Sequence, residues 1–201
     1  MSDNIEYEAT FYPINRDEMR KKLRSLDAKL VKNDFMQTRV CYAVPESCLW
    51  DDAWLRIRDE DDQITLTLKA TPTADTIQKN KRSSITDQKE VELVVDSFAK
   101  AETFLDTLGF RRKSYQESRR EKWEMDGVEI VIDQWPWLEP YVEIEGENEL
   151  VVNAMCEKLG FDWGEALFGG VDLVYQKKYN ISSDIINNHA EFLFDSANPF
   201  N

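Results

Sequence analysis

The apolar positions of this chain follow two periods, one typical of helices and one typical of strands. Spacings of three and four residues predict three helices, which begin after Asn15, after Ser97 and at Glu149. We expect the first over about Arg16–Lys29, because Asn15 is suited to cap it and an apolar stripe follows. The other two end in the same tripeptide, Leu-Gly-Phe, whose glycine is typical of a helix C-terminus.

The remaining apolar segments alternate with charged or hydroxyl residues, a pattern that predicts half-buried strands. The polar face of each strand carries charges of one sign. Acidic faces hold Glu6 and Glu8, Glu90 and Glu92, Glu129 and Asp133, and Glu143 and Glu145, whereas basic faces hold Arg56 and Arg58, Lys69, and Arg120 and Lys122. Six or more such strands with three helices indicate an α+β fold dominated by an antiparallel sheet or barrel.

The order of these elements suggests a weak internal repeat, because a Glu-x-Glu strand precedes each predicted helix. We expect residues 1–180 to form one domain. The stretch from Ala70 to Thr86 is rich in Thr, Ser and Lys and is predicted as a long loop. Residues 181–201 are predicted as an appended tail, because Asn and Ser surround only a few apolar residues there.

Charge and hydropathy narrow the list of partners. The 201 residues carry 25 Lys and Arg against 39 Asp and Glu, a net charge of −14, so duplex nucleic acid is not an expected partner. Charges interrupt every apolar run before the roughly 20 residues that a membrane helix needs, so no membrane association is expected. The N-terminal sequence lacks the pattern of a secretory signal, which predicts a cytoplasmic protein.

The composition also excludes several kinds of active site. His189 is the only histidine, which argues against catalytic triads and multi-histidine metal sites. Cys41, Cys48 and Cys156 show no Cys-x-x-Cys spacing, so neither disulfides nor a cysteine zinc site is expected. The glycines form no dinucleotide or P-loop motif. Any chemistry must therefore depend on carboxylates, lysines and arginines.

The like-charged strand faces allow two interpretations. They can simply face water, as one side of many antiparallel sheets does. However, paired carboxylates repel each other unless a cation lies between them, and Mg²⁺ prefers such oxygen ligands. Clustered guanidinium groups require an anion in the same way, and their planar shape suits phosphate oxygens. If the faces point inward, the sequence predicts a site for a metal ion and a polyphosphate.

An ordered series of motifs supports the second interpretation. It comprises Glu6-Tyr7-Glu8-Ala9-Thr10, Leu55-Arg56-Ile57-Arg58, Thr67-Leu68-Lys69, Glu90, the stretch from Arg120 to Trp123, Asp133, and Glu143 with Glu145. This series resembles the CYTH superfamily of triphosphate tunnel metalloenzymes, which includes class IV adenylyl cyclases, thiamine triphosphatases and inorganic tripolyphosphatases. The resemblance runs in order from Ile5 to about Tyr179.

The resemblance implies a closed eight-stranded antiparallel barrel with helices packed outside, which binds a small-molecule triphosphate. It implies that Glu6, Glu8, Asp133, Glu143 and Glu145 bind one or two Mg²⁺ or Mn²⁺ ions, and that Glu6, Glu8, Glu143 and Glu145 are also catalytic. It further implies that Arg56, Arg58, Lys69 and Arg120 bind phosphate. Glu90 matches a family acid of less defined role, while Arg119 and Lys122 are suggested only by charge and spacing. We expect a monomer or a homodimer.

One departure from the family pattern affects the expected reaction. Thr10 stands where the family motif has a lysine, and a hydroxyl group can supply neither a positive charge nor a base near neutral pH. Metal-dependent hydrolysis of a triphosphate is the leading expectation. Cyclisation of ATP to cyclic AMP and pyrophosphate is an alternative, because its nucleophile is part of the substrate. Binding of a polyphosphate without turnover is a third.

Overall fold

The computed structural model of the protein describes residues 7–48, 53–70 and 89–200. The strands are β1 (Tyr7–Phe11), β2 (Lys29–Ala43), β3 (Ala53–Asp59), β4 (Ile64–Ala70), β5 (Lys89–Val95), β6 (Arg111–Met125), β7 (Val128–Gln134), β8 (Tyr141–Gly146) and β9 (Glu191–Phe192). The helices are α1 (Arg16–Ser25), α2 (Phe98–Thr107), α3 (Glu149–Lys158), α4 (Val171–Tyr179) and α5 (Ser183–Asn187). The loop predicted after Ala70 lies outside the described residues.

A single curled sheet dominates the fold, with neighbouring strands in the order β1-β8-β7-β6-β2-β3-β4-β5. All of these pairs are antiparallel, and β9 adds a short parallel pairing with β6. The predicted α+β class is confirmed. The predicted closed barrel is wrong, because the sheet forms an open half-barrel.

A segment that follows α3 explains why β1 does not close the sheet. The backbone N–H of Thr10 donates to the Leu167 carbonyl oxygen at 3.0 Å, and the N–H of Leu167 donates back to the Thr10 oxygen at 2.9 Å. These bonds use the outer edge of β1, where a closed barrel would place β5. A backbone group that already bonds to one partner is not available to another strand.

Helices α1 and α3 cover the convex face of β1, β6, β7 and β8. The core between them contains Ala9, Leu23, Trp123, Ile130, Ile132, Ile144, Val152 and Cys156, all with 2% or less of their surface exposed. On the other half of the sheet, Ala101 and Leu105 of α2 pack over Val40, Tyr42 and Ile57. Most of the apolar strand residues therefore face the helices, and most of the alternating polar residues face the concave side.

The helix ends show where the periodic pattern is interrupted. The first helix ends at Ser25 rather than near Lys29, because Asp27 adopts a left-handed conformation with φ of 58°. In both Leu-Gly-Phe tripeptides the glycine has φ of 81°, a conformation that glycine adopts without strain. The following phenylalanine N–H donates to the carbonyl oxygen five residues earlier, at 3.0 Å for Phe110 and 2.9 Å for Phe161. The repeated tripeptide is thus a repeated helix cap.

Residues 181–200, predicted as a tail, pack against the domain. Strand β9 pairs with Tyr115 and Gln116 of β6, which fixes the register of the segment. Phe192 is 2% exposed and lies against Trp135 and Tyr175 in an aromatic cluster. Within the described ranges, none of the helices is both long enough and apolar enough for a transmembrane span.

Candidate functional site: a charged cavity on the concave face

The concave face of the sheet lines a cavity of about 810 Å³. Its charged lining residues are Glu8, Arg39, Arg56, Arg58, Lys69, Glu90, Glu92, Lys113, Arg120, Lys122, Glu129, Asp133, Glu143, Glu145 and Asp172. Most of the residues that strand alternation placed on polar faces therefore lie in one place. The cavity is also lined by residues that follow β8 in the chain, namely Phe168, Gly169, Gly170, Val171 and Asn187.

The acidic side of the cavity is a row of glutamates across three strands. Glu8 of β1 lies directly opposite Glu145 of β8, which lies opposite Glu129 of β7. Burial raises the pKa of Glu8 well above its usual value, and repulsion from Glu143 and Glu145 raises it further. Burial and the charge of Glu129 likewise raise the pKa of Glu145. Like charges placed opposite each other destabilise a sheet, so this row favours a bound cation.

Arg120 lies between two of the predicted metal-binding carboxylates. Its Nε donates to Asp133 Oδ1 at 2.8 Å, and its Nη2 donates to Glu143 Oε2 at 2.7 Å. Asp133 is completely buried. Burial lowers the pKa of Arg120, but the two carboxylates outweigh it and raise the pKa overall. Burial and the charge of Asp133 raise the pKa of Glu143 to about 7.

The basic side comes from β3 and β4. Arg58 Nε lies 2.9 Å from Glu60 Oε1, and Lys69 Nζ lies 2.8 Å from Glu90 Oε2. Arg56 is 7% exposed, and none of the described carboxylates forms an ion pair with it. Burial and the neighbouring Arg58 lower the pKa of Arg56 to about 9. The cavity therefore holds a buried positive charge that forms no ion pair with the carboxylates in the described ranges.

The other predicted residues differ in their placement. Glu6 lies outside the described residues. Lys122 lines the cavity and contacts Glu60 Oε2 at 3.3 Å. Arg119 lies on the opposite face of β6, where its Nε donates to Asp34 Oδ2 at 2.9 Å, so the structure does not bring it to the cavity.

Sequence reasoning missed Arg39 in the cavity, and it missed Glu60, a buried carboxylate that contacts the cavity residues Arg58 and Lys122. Arg39 of β2 is 8% exposed, and its guanidinium stacks at 4.6 Å on the ring of Trp135. Glu60 is 7% exposed and accepts from Gln37 Nε2 at 2.7 Å. The sequence did carry a signal for Arg39, because polar Arg39 and Cys41 alternate with apolar Val40 and Tyr42. Glu60 follows the end of β3, where no periodic pattern could place it.

Comparisons with known proteins agree with this arrangement. A sequence model of the CYTH domain matches residues 4–164, which is most of the chain. The chain belongs to the CYTH domain family. It is 25% identical over 181 residues to a protein of Methanocaldococcus jannaschii that is named as a candidate adenylate cyclase, with 87% of this chain and 96% of that protein covered.

Two solved structures show that the CYTH fold extends over nearly the whole chain. A structure from Vibrio parahaemolyticus, also named as a candidate adenylate cyclase, superposes with a TM-score of 0.70 at 11% identity and covers 87% of this chain and 99% of its own. A Hippeastrum protein superposes with a TM-score of 0.55 at 12% identity and covers 89% and 96% respectively. The Hippeastrum protein is described as a candidate adenylyl cyclase with a dominant triphosphatase activity.

The carboxylates of the cavity have the chemistry that a divalent cation requires. Glu8, Asp133, Glu143 and Glu145 supply only carboxylate oxygens, the ligand type that Mg²⁺ and Mn²⁺ prefer. Among the described residues, no three His, Cys, Asp or Glu side chains converge tightly enough to hold an ion as they stand. Arg120 accounts for part of this, because it pairs with Asp133 and Glu143. The donor set suits the metal, provided that these side chains rearrange.

Proposed function

We propose that this protein hydrolyses the phosphoanhydride bond of a small triphosphate with the help of Mg²⁺ or Mn²⁺. The observation that carries the proposal is the composition of one cavity, in which a row of repelling carboxylates faces buried cations. Arg56 is the clearest case among the cations, because no described carboxylate neutralises it. A triphosphate with a divalent cation supplies both missing partners, since the anion pairs with the arginines and the cation with the carboxylates.

Each side of the cavity then has a defined task. Arg56, Arg58, Lys69 and Arg120 would bind phosphate oxygens and stabilise the negative charge that develops on the leaving group. Glu8, Asp133, Glu143 and Glu145 would hold the cation, with Glu6 as an expected further ligand. The bound cation would neutralise phosphate charge and orient the attacking water. The largest contribution to catalysis is therefore electrostatic.

The role of Thr10 defines the second candidate function. Thr10 is 2% exposed and lies opposite Glu143, one of the acidic residues that line the cavity. A threonine can orient a water molecule but cannot remove its proton near neutral pH. Cyclisation of ATP uses the ribose 3′-hydroxyl group and needs no positioned water. This observation, together with the name of the relative from M. jannaschii, supports adenylyl cyclase activity as the second candidate.

Product analysis separates the candidates. The purified protein is incubated with tripolyphosphate, thiamine triphosphate or ATP, each with Mg²⁺, with Mn²⁺ and with a chelator. We expect metal-dependent release of phosphate or pyrophosphate from at least one substrate. Cyclic AMP in the ATP samples would instead select the cyclase. Tight binding of tripolyphosphate without any product would contradict both and leave a binding protein.

A further inference from the structure

Arg39 is a second buried cation of the cavity that forms no ion pair with any of the described carboxylates. It lies on β2 directly opposite Arg58 of β3, and Cys41 on the same strand lies opposite Arg56. Its side chain is almost completely buried yet lines the cavity. The strand register therefore places three guanidinium groups at the junction of β2 and β3.

The contacts of Arg39 hold its guanidinium group in place without neutralising it. Nη2 donates to Gln37 Oε1 and to Ser118 Oγ, each at 2.8 Å, and both acceptors are uncharged. The guanidinium plane lies over the Trp135 ring at 4.6 Å. The buried Nε atom makes no hydrogen bond within the described part of the protein. The side chain is thus oriented by neutral groups while a donor stays available.

The electrostatic environment of Arg39 is unfavourable in the unliganded protein. Burial, together with the charges of Arg58 and Arg120, lowers the pKa of Arg39 to about 10, although the charge of Asp133 acts in the opposite direction. A structural arginine at this depth would ordinarily have a carboxylate partner, because an unpaired buried charge is strongly destabilising. Arg58 shows the difference, since it contacts Glu60 at 2.9 Å.

We propose that Arg39 and Arg56 form an anion-binding subsite at the β2–β3 junction that holds one phosphate group of the substrate. This inference rests on the proposed function, and it adds Arg39 to the phosphate-binding residues that the sequence indicated. Each side chain has an Nε atom that makes no hydrogen bond to any residue that the structure describes. One phosphate group has enough oxygen atoms to accept from both guanidinium groups.

The test compares Arg39→Gln with Arg39→Lys and with Arg119→Gln, whose side chain lies on the opposite face of β6. Binding of tripolyphosphate and pyrophosphate is measured by isothermal titration, and melting temperature is measured with and without each anion. Because Arg39→Gln loses a charge-assisted hydrogen bond, we expect its affinity for the anion to be lower than that of the wild type by roughly tenfold or more. Arg39→Lys keeps the charge, so its affinity should fall by less. Arg119→Gln should bind like the wild type.

The melting temperature distinguishes a ligand-binding arginine from a structural one. We expect unliganded Arg39→Gln to melt at or above the wild-type temperature, because the substitution removes a buried repulsive charge, and to lose most of its anion-induced shift. Wild-type affinity in Arg39→Gln would overturn the inference, even if the enzyme turns over triphosphates. Affinity that depends on Arg39 in a protein without turnover would support the subsite and contradict the proposed hydrolysis. If Arg39→Gln does not fold, Arg39→Lys decides the test. Wild-type affinity in Arg39→Lys would then overturn the inference.

Discussion

Glu8 and Glu145 lie directly opposite each other on adjacent antiparallel strands, and both face the cavity. Side chains in such positions are only a few ångströms apart, so two ionised carboxylates there repel each other. The chain keeps this arrangement although it weakens the unliganded sheet. A bound cation would relieve this repulsion, and we therefore expect the stability of the protein to depend on pH and on added metal.

The stability of the metal-free protein should depend on the protonation of Glu143. Its pKa rises from the ordinary value of 4.5 to about 7 on folding, so the folded state holds the proton more tightly than the unfolded state. The resulting stabilisation is complete below about pH 4.5 and is lost as the pH rises through about 7. We expect the melting temperature of the metal-free wild type to fall across this window, and to fall less in Glu143→Gln.

The control for this experiment is Glu157→Gln, which removes an exposed carboxylate on α3. This variant should retain the pH dependence of the wild type. Added Mn²⁺ should raise the melting temperature of the wild type and of Glu157→Gln more than that of Glu143→Gln. Parallel pH profiles for Glu143→Gln and the wild type would show that Glu143 is not the group responsible.

Substitution of Arg58 should separate the two halves of the site. Arg58→Ala removes one of the cations proposed to bind phosphate but none of the carboxylates, so we expect tripolyphosphate affinity to fall by about tenfold or more. Mn²⁺ affinity, measured by titration without phosphate, should change by less than about twofold. A variant that loses Mn²⁺ and tripolyphosphate equally would indicate a general disturbance of the sheet.

Two neighbouring cations of β6 should differ because they lie on opposite faces of the strand. Lys122 lines the cavity, whereas Arg119 pairs with Asp34 on the other side. We expect Lys122→Ala to weaken tripolyphosphate binding several-fold and Arg119→Ala to leave it within about twofold, as is usual for charges away from a site. Isothermal titration of both variants at one ionic strength provides the comparison. Equal losses of tripolyphosphate affinity in the two variants would indicate that the anion responds to the overall charge of the protein and not to a defined binding site.

Glu60 should act as an internal counter-ion that the substrate partly replaces. It contacts Arg58 at 2.9 Å and Lys122 at 3.3 Å, and its own pKa is lowered because these cations outweigh its burial. Glu60→Gln should lower the melting temperature of the unliganded protein, and tripolyphosphate should then stabilise it more than it stabilises the wild type. Asp62→Asn, at the exposed partner of Lys32, is the matched control. Equal ligand-induced shifts in wild type and Glu60→Gln would indicate a purely structural role.

Strand alternation was sufficient to predict much of the site. Arg56 and Arg58, and likewise Glu143 and Glu145, are two residues apart, so a single strand assignment puts both members of each pair on one face. The structure confirms that these faces line one cavity. The sequence alone can predict this, because alternate residues of a strand point to opposite faces of the sheet.

Features that depend on distant pairings could not be predicted. The 15-residue strand β2 was missed, because its first half mixes charged and apolar residues and Leu30 continued the stripe of the preceding helix. The prediction of a closed barrel was wrong because the backbone of Leu167 bonds to Thr10, and the two residues are more than 150 positions apart in the chain. The final segment showed little apolar character, and its order comes from a few contacts such as Phe192 against Trp135. None of these pairings leaves a periodic signal in the sequence.

The hydrogen bonds between Thr10 and Leu167 also define the smallest piece of chain that should behave well in isolation. The segment matched by the CYTH domain ends at residue 164, just before this contact. A fragment cut at that boundary would expose the backbone donors and acceptors of β1 as an open edge, which is a template for pairing between molecules. The aromatic cluster around Trp135 would lose Phe192 and Tyr175 at the same time. The cooperative folding unit is therefore longer than the family domain, and a shortened protein needs the residues after 164 to keep the edge of β1 paired.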